Sequence, residues 1–222
     1  MFLNQSVSPQ TALPGRATPI LTGPQQHLVF HTDLLAPAAP GQEEIFLAAG
    51  CFWGVEEIMW QLPGVVNTAT GYMGGYTPNP EYGEVCSGLT GHTETVRVVY
   101  QATAAESPLP LILKTFWECH DPTSLNRQGN DIGTQYRSAI FYTTPQQQDL
   151  ALTSRATYNQ VLAAAGRGQI VTEIRSTDDA GEFYWAEAVH QQYLISVPNG
   201  YRCHATSGLP CPLPGSGPLA AL

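Results

Sequence analysis

Charge is what this sequence has least of. Charged residues make up 12% of its 222 positions, about half the usual share. Only 9 residues are Lys or Arg, against 18 Asp or Glu, for a formal net charge of −9. So little positive charge argues against nucleic acid or an anionic membrane surface as a partner. No apolar run approaches the roughly 20 residues of a membrane span. Met1 to Ser6 lack the basic start and apolar stretch of a secretory signal, so the expected compartment is the cytoplasm. There is no Gly-rich phosphate loop leading into a helix with Lys-Ser/Thr, no dinucleotide fingerprint after a strand and no internal repeat. Five cysteines in a chain this long do not make a disulfide scaffold, and none form the tight Cys-x(2–4)-Cys pairs of structural zinc sites. No metal is expected.

What is present centres on Gly50-Cys51-Phe52-Trp53-Gly54. The apolar stretch Ile45 to Ala49 predicts a buried strand before it. Val55, Ile58, Met59 and Leu62 follow at i, i+3, i+4, i+7, and Pro63-Gly64 stops that helix. Cys51 is therefore expected where a strand turns into a helix, beside unpaired N–H groups and the positive end of the helix dipole. Both favour a thiolate, and Gly50 and Gly54 leave room for a tight turn and an approaching molecule. A buried structural cysteine is the bland alternative, but it needs neither flanking glycines nor two large aromatics.

The first 43 residues, rich in Pro, Gln, Thr and Ala, are expected as an extension lying on the domain, with His27 to Phe30 adding a short edge strand. Strands are expected at 45–49, 65–72 and 93–100, then 136–142 and 170–175. Helices are expected at 54–62, from Ser107-Pro108 to about 119, from Thr144-Pro145 to near Gly166, and from Tyr184 to Leu194. The first six elements read β-α-β, β-α-β, a split βαβ or ferredoxin-like core. The whole is expected as an α+β, two-layer α/β roll with a mixed sheet and a long C-terminal coil. In the glycine-rich loop 71–83, Tyr72, Met73, Tyr76 and Tyr82 either wall an apolar pocket or pack the loop internally. Alternation along 93–100 puts Glu94 on the apolar face with Val96, Val98 and Tyr100, where lost water would keep it protonated. Beside a reactive cysteine such a carboxyl reads as a general acid. Residues 44–195 form the catalytic domain in this reading, and 196–222 a flexible tail with five prolines and four glycines. Cys86 and Cys119 look structural. Cys51, with Cys203 and Cys211 eight positions apart in the tail, reads as transient redox chemistry. Two alternatives stand beside it. One is a hydrolase with Cys51 as nucleophile and His92, His120 or His190 as base. The other is a thiol or zinc-binding module.

These residues resemble the class A peptide methionine sulfoxide reductases. The motif at 50–54, Gly71-Tyr72 through Tyr82, Gly91-His92 with Glu94, Gly129-Asn130-Asp131 with Gly133 to Ser138, and His190 to Leu194 match that family in order. Leu13-Pro14-Gly15-Arg16 resembles its longer bacterial members. The resemblance implies an α/β roll and reduction of S-configured methionine sulfoxide, free and in proteins; a monomer is expected. It implies Cys51 as nucleophile, Glu94 as the acid on the sulfoxide oxygen, and Tyr82 and Tyr136 as hydrogen-bond donors to that oxygen. Phe52 and Trp53 would hold the substrate methyl, with Asp131 also on the substrate side. Cys203 and Cys211 would recycle the enzyme, Cys203 first, with thioredoxin as external reductant and no cofactor. The tail departs from the family pattern: Arg202 separates Tyr201 from Cys203, and Gly208 is the one glycine between the two cysteines, where the family is often glycine-rich.

Overall fold

The computed structural model describes residues 7–103, 107–203 and 205–214, so Met1 to Ser6 and His204 lie outside the described residues. The elements are β1 (Gln42–Ala49), α1 (Phe52–Trp60), β2 (Val65–Met73), α2 (Tyr82–Cys86), β3 (Thr93–Gln101) and α3 (Leu109–Glu118). A small ribbon, β4 (Arg127–Gln128) and β5 (Asp131–Ile132), comes next. Then follow β6 (Ser138–Tyr142), α4 (Pro145–Ala164), β7 (Glu173–Ser176), α5 (Thr177–Ala180), β8 (Tyr184–Trp185) and α6 (Tyr193–Ser196). The main sheet runs β7-β6-β1-β3-β2-β8. Only the β6–β7 pair is parallel. β3 therefore inserts between β1 and β2, which is the split βαβ arrangement expected, and the sheet is mixed.

Helices α1, α3 and α4 cover one face of this sheet. The predicted stripe of α3, Leu109, Ile112, Leu113 and Phe116, is fully buried there against Ile45, Leu47, Val96, Val98 and Ile140. α4 starts as its sequence dictates: the Thr144 hydroxyl accepts from the Gln147 N–H, Pro145 occupies the first turn, and the Gln147 side chain reaches back to the Thr143 N–H. On the opposite face Phe46, Ala48, Met73 and Phe141 pack under Ala180 and Phe183, and Ala69 under Leu21 and Leu34. Leu34 is 1% exposed, a burial that contributes roughly 1.5–3 kcal/mol to holding residues 21–35 on the sheet.

Three local expectations are corrected. The helix expected over Tyr184 to Leu194 is instead β8, a 3-10 turn at Ala188–His190 and the short α6. The open edge of β2 takes Tyr184 and Trp185 as a strand. Gln191 then extends that edge with its side chain, accepting from Thr70 N–H and donating to Thr70 C=O, both at 2.9 Å. Side-chain amides that satisfy backbone groups in this way compete with helix formation. The edge strand expected at His27 to Phe30 is a turn, because His27 Nδ1 accepts the N–H groups of Val29 and Phe30 that a strand would offer to a neighbour. The Gly-rich loop also contains α2, set by a capping box between Glu81 and Glu84.

The described part of the tail has no helix or strand beyond α6 and is docked. Ser207 and Cys211 are buried, and the Tyr158 hydroxyl lies 2.5 Å from Ser207 Oγ and donates to Leu209 C=O at 2.8 Å.

The link from β1 to α1 depends on Gly50. Its φ is +95°, and a Cβ there would stand 2.8 Å from Gln128 Cγ. Gly50→Ala is expected to lower stability by about 1–3 kcal/mol; an unchanged denaturant midpoint would show that the turn relaxes without cost.

Candidate active site

The strand-to-helix turn places Cys51 at the N-cap of α1, as expected. Its side chain is 7% exposed, and the N–H groups of Trp53 and Gly54 face its sulfur. The thiol is nevertheless pushed well above its ordinary pKa, first by burial and then by Glu94. The expectation of a resting thiolate is thus corrected. Two backbone donors at a helix start lower the pKa, but the loss of water and a neighbouring carboxyl outweigh them.

Glu94 reaches the same place from β3, where it pairs across the sheet with Tyr72. It is 1% exposed, and Oε2 accepts the Phe52 N–H at 2.9 Å. Oε1 is buried with no partner among the described residues. Burial pushes this carboxyl up to about 8, with Asp131 adding to the rise. The site therefore holds a thiol and a carboxylic acid side by side, both protonated near neutrality.

Around them stands an aromatic cage. Phe52 is fully buried, and its ring lies 5.9 Å from Tyr72, 6.4 Å from Tyr82 and 5.6 Å from His190. Trp53 stacks on Tyr193 at 4.1 Å, lies 6.5 Å from Tyr82, and its Nε1–H donates to His190 Nδ1 at 3.3 Å. Tyr82 and Tyr136 are partly buried, and their hydroxyls are held neutral by burial and by Glu94. Of the loop aromatics Tyr82 and, from the core side, Tyr72 border this cage. Tyr72 and Met73 are core residues, and Tyr76 is exposed. A larger cavity of about 420 Å³, lined by Tyr76, Arg137 and Arg175 among others, holds none of the expected site residues.

Asp131, on β5, accepts from the Tyr201 hydroxyl at 3.0 Å and acts electrostatically on Glu94, Cys51 and Cys203. Cys203 and Cys51 line one small cavity, together with Cys119. Cys211 is elsewhere, buried against α3 with its N–H bonded to Glu118 Oε1 at 2.7 Å. All five cysteines are free.

Sequence reasoning missed Glu187. One carboxylate oxygen accepts the Tyr72 hydroxyl at 2.9 Å and the other accepts the Tyr82 N–H at 2.7 Å, so it sets the edge of the cage. It was hidden by the helix expected over its segment. The hydrolase alternative loses its base: the charges acting on Cys51 are Glu94 and Asp131. His92 is bonded to Gly75 and Thr77 and His120 to Phe116 and Ser138, while His190, inside the cage, takes its hydrogen bond from Trp53. Among the described residues no His/Cys/Asp/Glu group converges in a metal-holding set, and no helix is long and apolar enough to cross a membrane.

Comparison with known proteins points the same way. The family model described as peptide methionine sulfoxide reductase matches residues 43–209. The chain is 51% identical to a peptide methionine sulfoxide reductase MsrA of Methylococcus capsulatus, over 92% of this chain and 89% of that one. It is 52% identical to MsrA 1 of Caulobacter vibrioides, over 93% and 92%. Among solved structures, methionine sulfoxide reductase A of Corynebacterium diphtheriae superposes with a TM-score of 0.83 at 44% identity, covering 95% of this chain and all of that one. The reduced form of Mxr1 from Saccharomyces cerevisiae gives 0.66 at 31% identity, covering 77% and 95%.

The Glu94 environment has a consequence for stability. Its carboxyl binds its proton more tightly folded than unfolded, so the folded state holds more protons between about 4.5 and about 8. The advantage of the neutral acid is complete below the unfolded value and is lost as pH rises through the folded one. Glu94 thus contributes a loss of stability with rising pH across that window. It is opposed below about 6.5 by His27, His92 and His120, which burial lowers to about 4 and whose stabilising share grows as pH rises. Glu94→Gln should remove the Glu94 share of that slope and leave the shares of Glu56, also raised to about 7, and of the three histidines in place. Parallel slopes in chemical denaturation of the two proteins would contradict a protonated Glu94.

Proposed function

The chain belongs to the class A peptide methionine sulfoxide reductases, its reaction is reduction of methionine sulfoxide to methionine, and we propose that Cys51 and Glu94 carry the first chemical step. The observation that supports this most directly is the buried carboxyl of Glu94, with Oε2 tied to Phe52 N–H and Oε1 left unpartnered beside the thiol. Sulfoxide sulfur is a poor electrophile until its oxygen is hydrogen-bonded or protonated, so a soft nucleophile and a neutral acid must act together. Oε1 carries the proton that Glu94 gives to the sulfoxide oxygen. Tyr82 and Tyr136, kept as neutral hydroxyls, donate to the same oxygen. The Cys51 sulfur attacks the sulfoxide sulfur as its own proton leaves, and Glu94 is reprotonated at the expense of that thiol. Methionine departs and Cys51 is left as a sulfenic acid, with protons and electrons balanced.

Phe52 and Trp53 take the substrate methyl into the apolar cage, and Asp131 lies on the substrate-binding side. The cage accepts the S-configured epimer, free or in a protein chain. Cys51 is too buried for a protein reductant to reach. Cys203 therefore condenses with the sulfenic acid, exchange with Cys211 frees Cys51, and thioredoxin reduces the tail disulfide. No further cofactor takes part. Free cysteines and the tail relay suit a monomer in a reducing cytoplasm, with residues 44–195 as the catalytic unit, 1–43 as an extension on it and 196–222 as the carrier of recycling thiols.

Single-turnover assays on the two separated methionine sulfoxide epimers test the reading. Cys51→Ser should form no methionine, and a comparable rate would mean that the nucleophile is another residue. Glu94→Gln should slow the chemical step by roughly 10²–10⁴-fold, and a rate equal to wild type from about pH 5 to 9 would remove the acid role. Cys203→Ser and Cys211→Ser should each complete one turnover and lose efficient cycling with thioredoxin; undiminished cycling would place recycling elsewhere.

A further inference from the structure

We propose that Cys119 is a second resolving thiol, able to condense directly with oxidised Cys51. The inference rests on the reading above, in which Cys51 becomes a sulfenic acid. Cys119 caps the C-terminal end of α3. It lines the same small cavity as Cys51 and Cys203, with Ala49, Gly54, Val55, Ile58 and Ala205 completing the walls. The cavity is about 10 Å³, hardly space for one water. It is a narrow space that three cysteines line and not a second substrate pocket. Cys211 does not line it. Its sulfur is turned to the Pro212 carbonyl at 3.4 Å and its side chain is buried in the main core.

The two thiols that share the cavity with Cys51 are held differently. Cys203 sits on a chain segment without regular structure, its sulfur donating weakly to Gln128 C=O at 3.5 Å. Cys119 is fixed by a helix end, its sulfur donating to Phe116 C=O at 3.3 Å. Satisfying a helix-terminal carbonyl does not require sulfur, since a serine hydroxyl makes the same bond. A thiol on a helix end that lines the nucleophile's own cavity needs no movement of the tail to meet the sulfenic acid.

The step balances without a further reactant. The S–O bond of the Cys51 sulfenic acid breaks, a Cys51–Cys119 disulfide forms, and the Cys119 proton leaves with the oxygen as water. Cys203 then attacks the Cys119 sulfur and Cys51 departs reduced, or it attacks Cys51 and Cys119 departs. Either way the disulfide passes to the tail, where Cys211 completes the exchange. Burial holds the Cys119 thiol up to about 12, so direct condensation should quicken with rising pH.

The test removes the competing tail thiol. Full-length Cys203→Ser is mixed with one equivalent of methionine sulfoxide in the presence of dimedone, which traps sulfenic acid. It is then alkylated and mapped by peptide mass spectrometry, with released methionine counted in the same sample. The expected product is a Cys51–Cys119 disulfide with Cys51 largely protected from dimedone. Adding Cys119→Ser, or Cys119→Ala to exclude a folding effect of either side chain, should abolish that disulfide and turn nearly all oxidised Cys51 into the dimedone adduct. Methionine release with dimedone-labelled Cys51 in the same yield whether or not Cys119 is present would overturn the proposal alone. So would a Cys51–Cys211 disulfide in its place. No methionine release at all would overturn the Cys51 reading and this proposal with it.

Discussion

The hydrogen bond from Phe52 N–H to Glu94 Oε2 is the contact on which the site depends. It joins the middle of the sheet to the first turn of α1, and so ties the acid to the backbone beside the nucleophile. Its existence is a matter of sheet register. Glu94 lies opposite Tyr72 and shares a face with Val96, Val98 and Tyr100. A slip of one residue would send Glu94 to the opposite face and put Thr93 or Thr95 in its place. The ladder that holds this register is the most central in the molecule, with β3 paired along its length to β1 on one side and β2 on the other. The chemistry is thus anchored where the fold is least able to shift.

Two effects compete at Cys51, and their sizes decide the outcome. A helix start and its free N–H groups are worth about 0.3–1 kcal/mol, up to about 2 in favourable geometry. Removing a charge from water shifts a pKa by up to about 3–5 units, each about 1.4 kcal/mol. Desolvation wins, and an adjacent carboxyl pushes the thiol in the same direction. The result is a nucleophile and an acid that carry two exchangeable protons and no charge of their own, matched to a substrate that is itself uncharged at the reacting group. Charge is created and cancelled only as the sulfur–oxygen bond changes hands.

The sequence was informative where periodicity and local chemistry act alone. The apolar stripe of α3, the cap at Thr144, the strand-to-helix turn at Cys51 and the inward face of Glu94 could all be read from spacing. It was silent where long-range partners decide conformation. Tyr184 and Trp185 form a strand because β2 has an open edge, and Gln191 completes that edge with a side chain, which no local pattern announces. Misreading that segment hid Glu187, whose two oxygens hold Tyr72 and Tyr82. Nothing in the local sequence sets Cys119 apart from a structural cysteine; only the fold brings its helix end to the cavity that Cys51 and Cys203 line. The thiol's protonation was misjudged for a related reason, since burial depends on the whole core and the helix terminus on a few residues.

The central claim is that a buried, neutral Glu94 waits beside a neutral Cys51. Isotope-edited infrared spectroscopy of the Glu94 side chain, read as the difference between wild type and Glu94→Gln across a pH titration, tests it directly. A protonated carboxyl at pH 7 that ionises near about 8 is the predicted result. A carboxylate already ionised at pH 7, titrating near the ordinary value for glutamate, would contradict it.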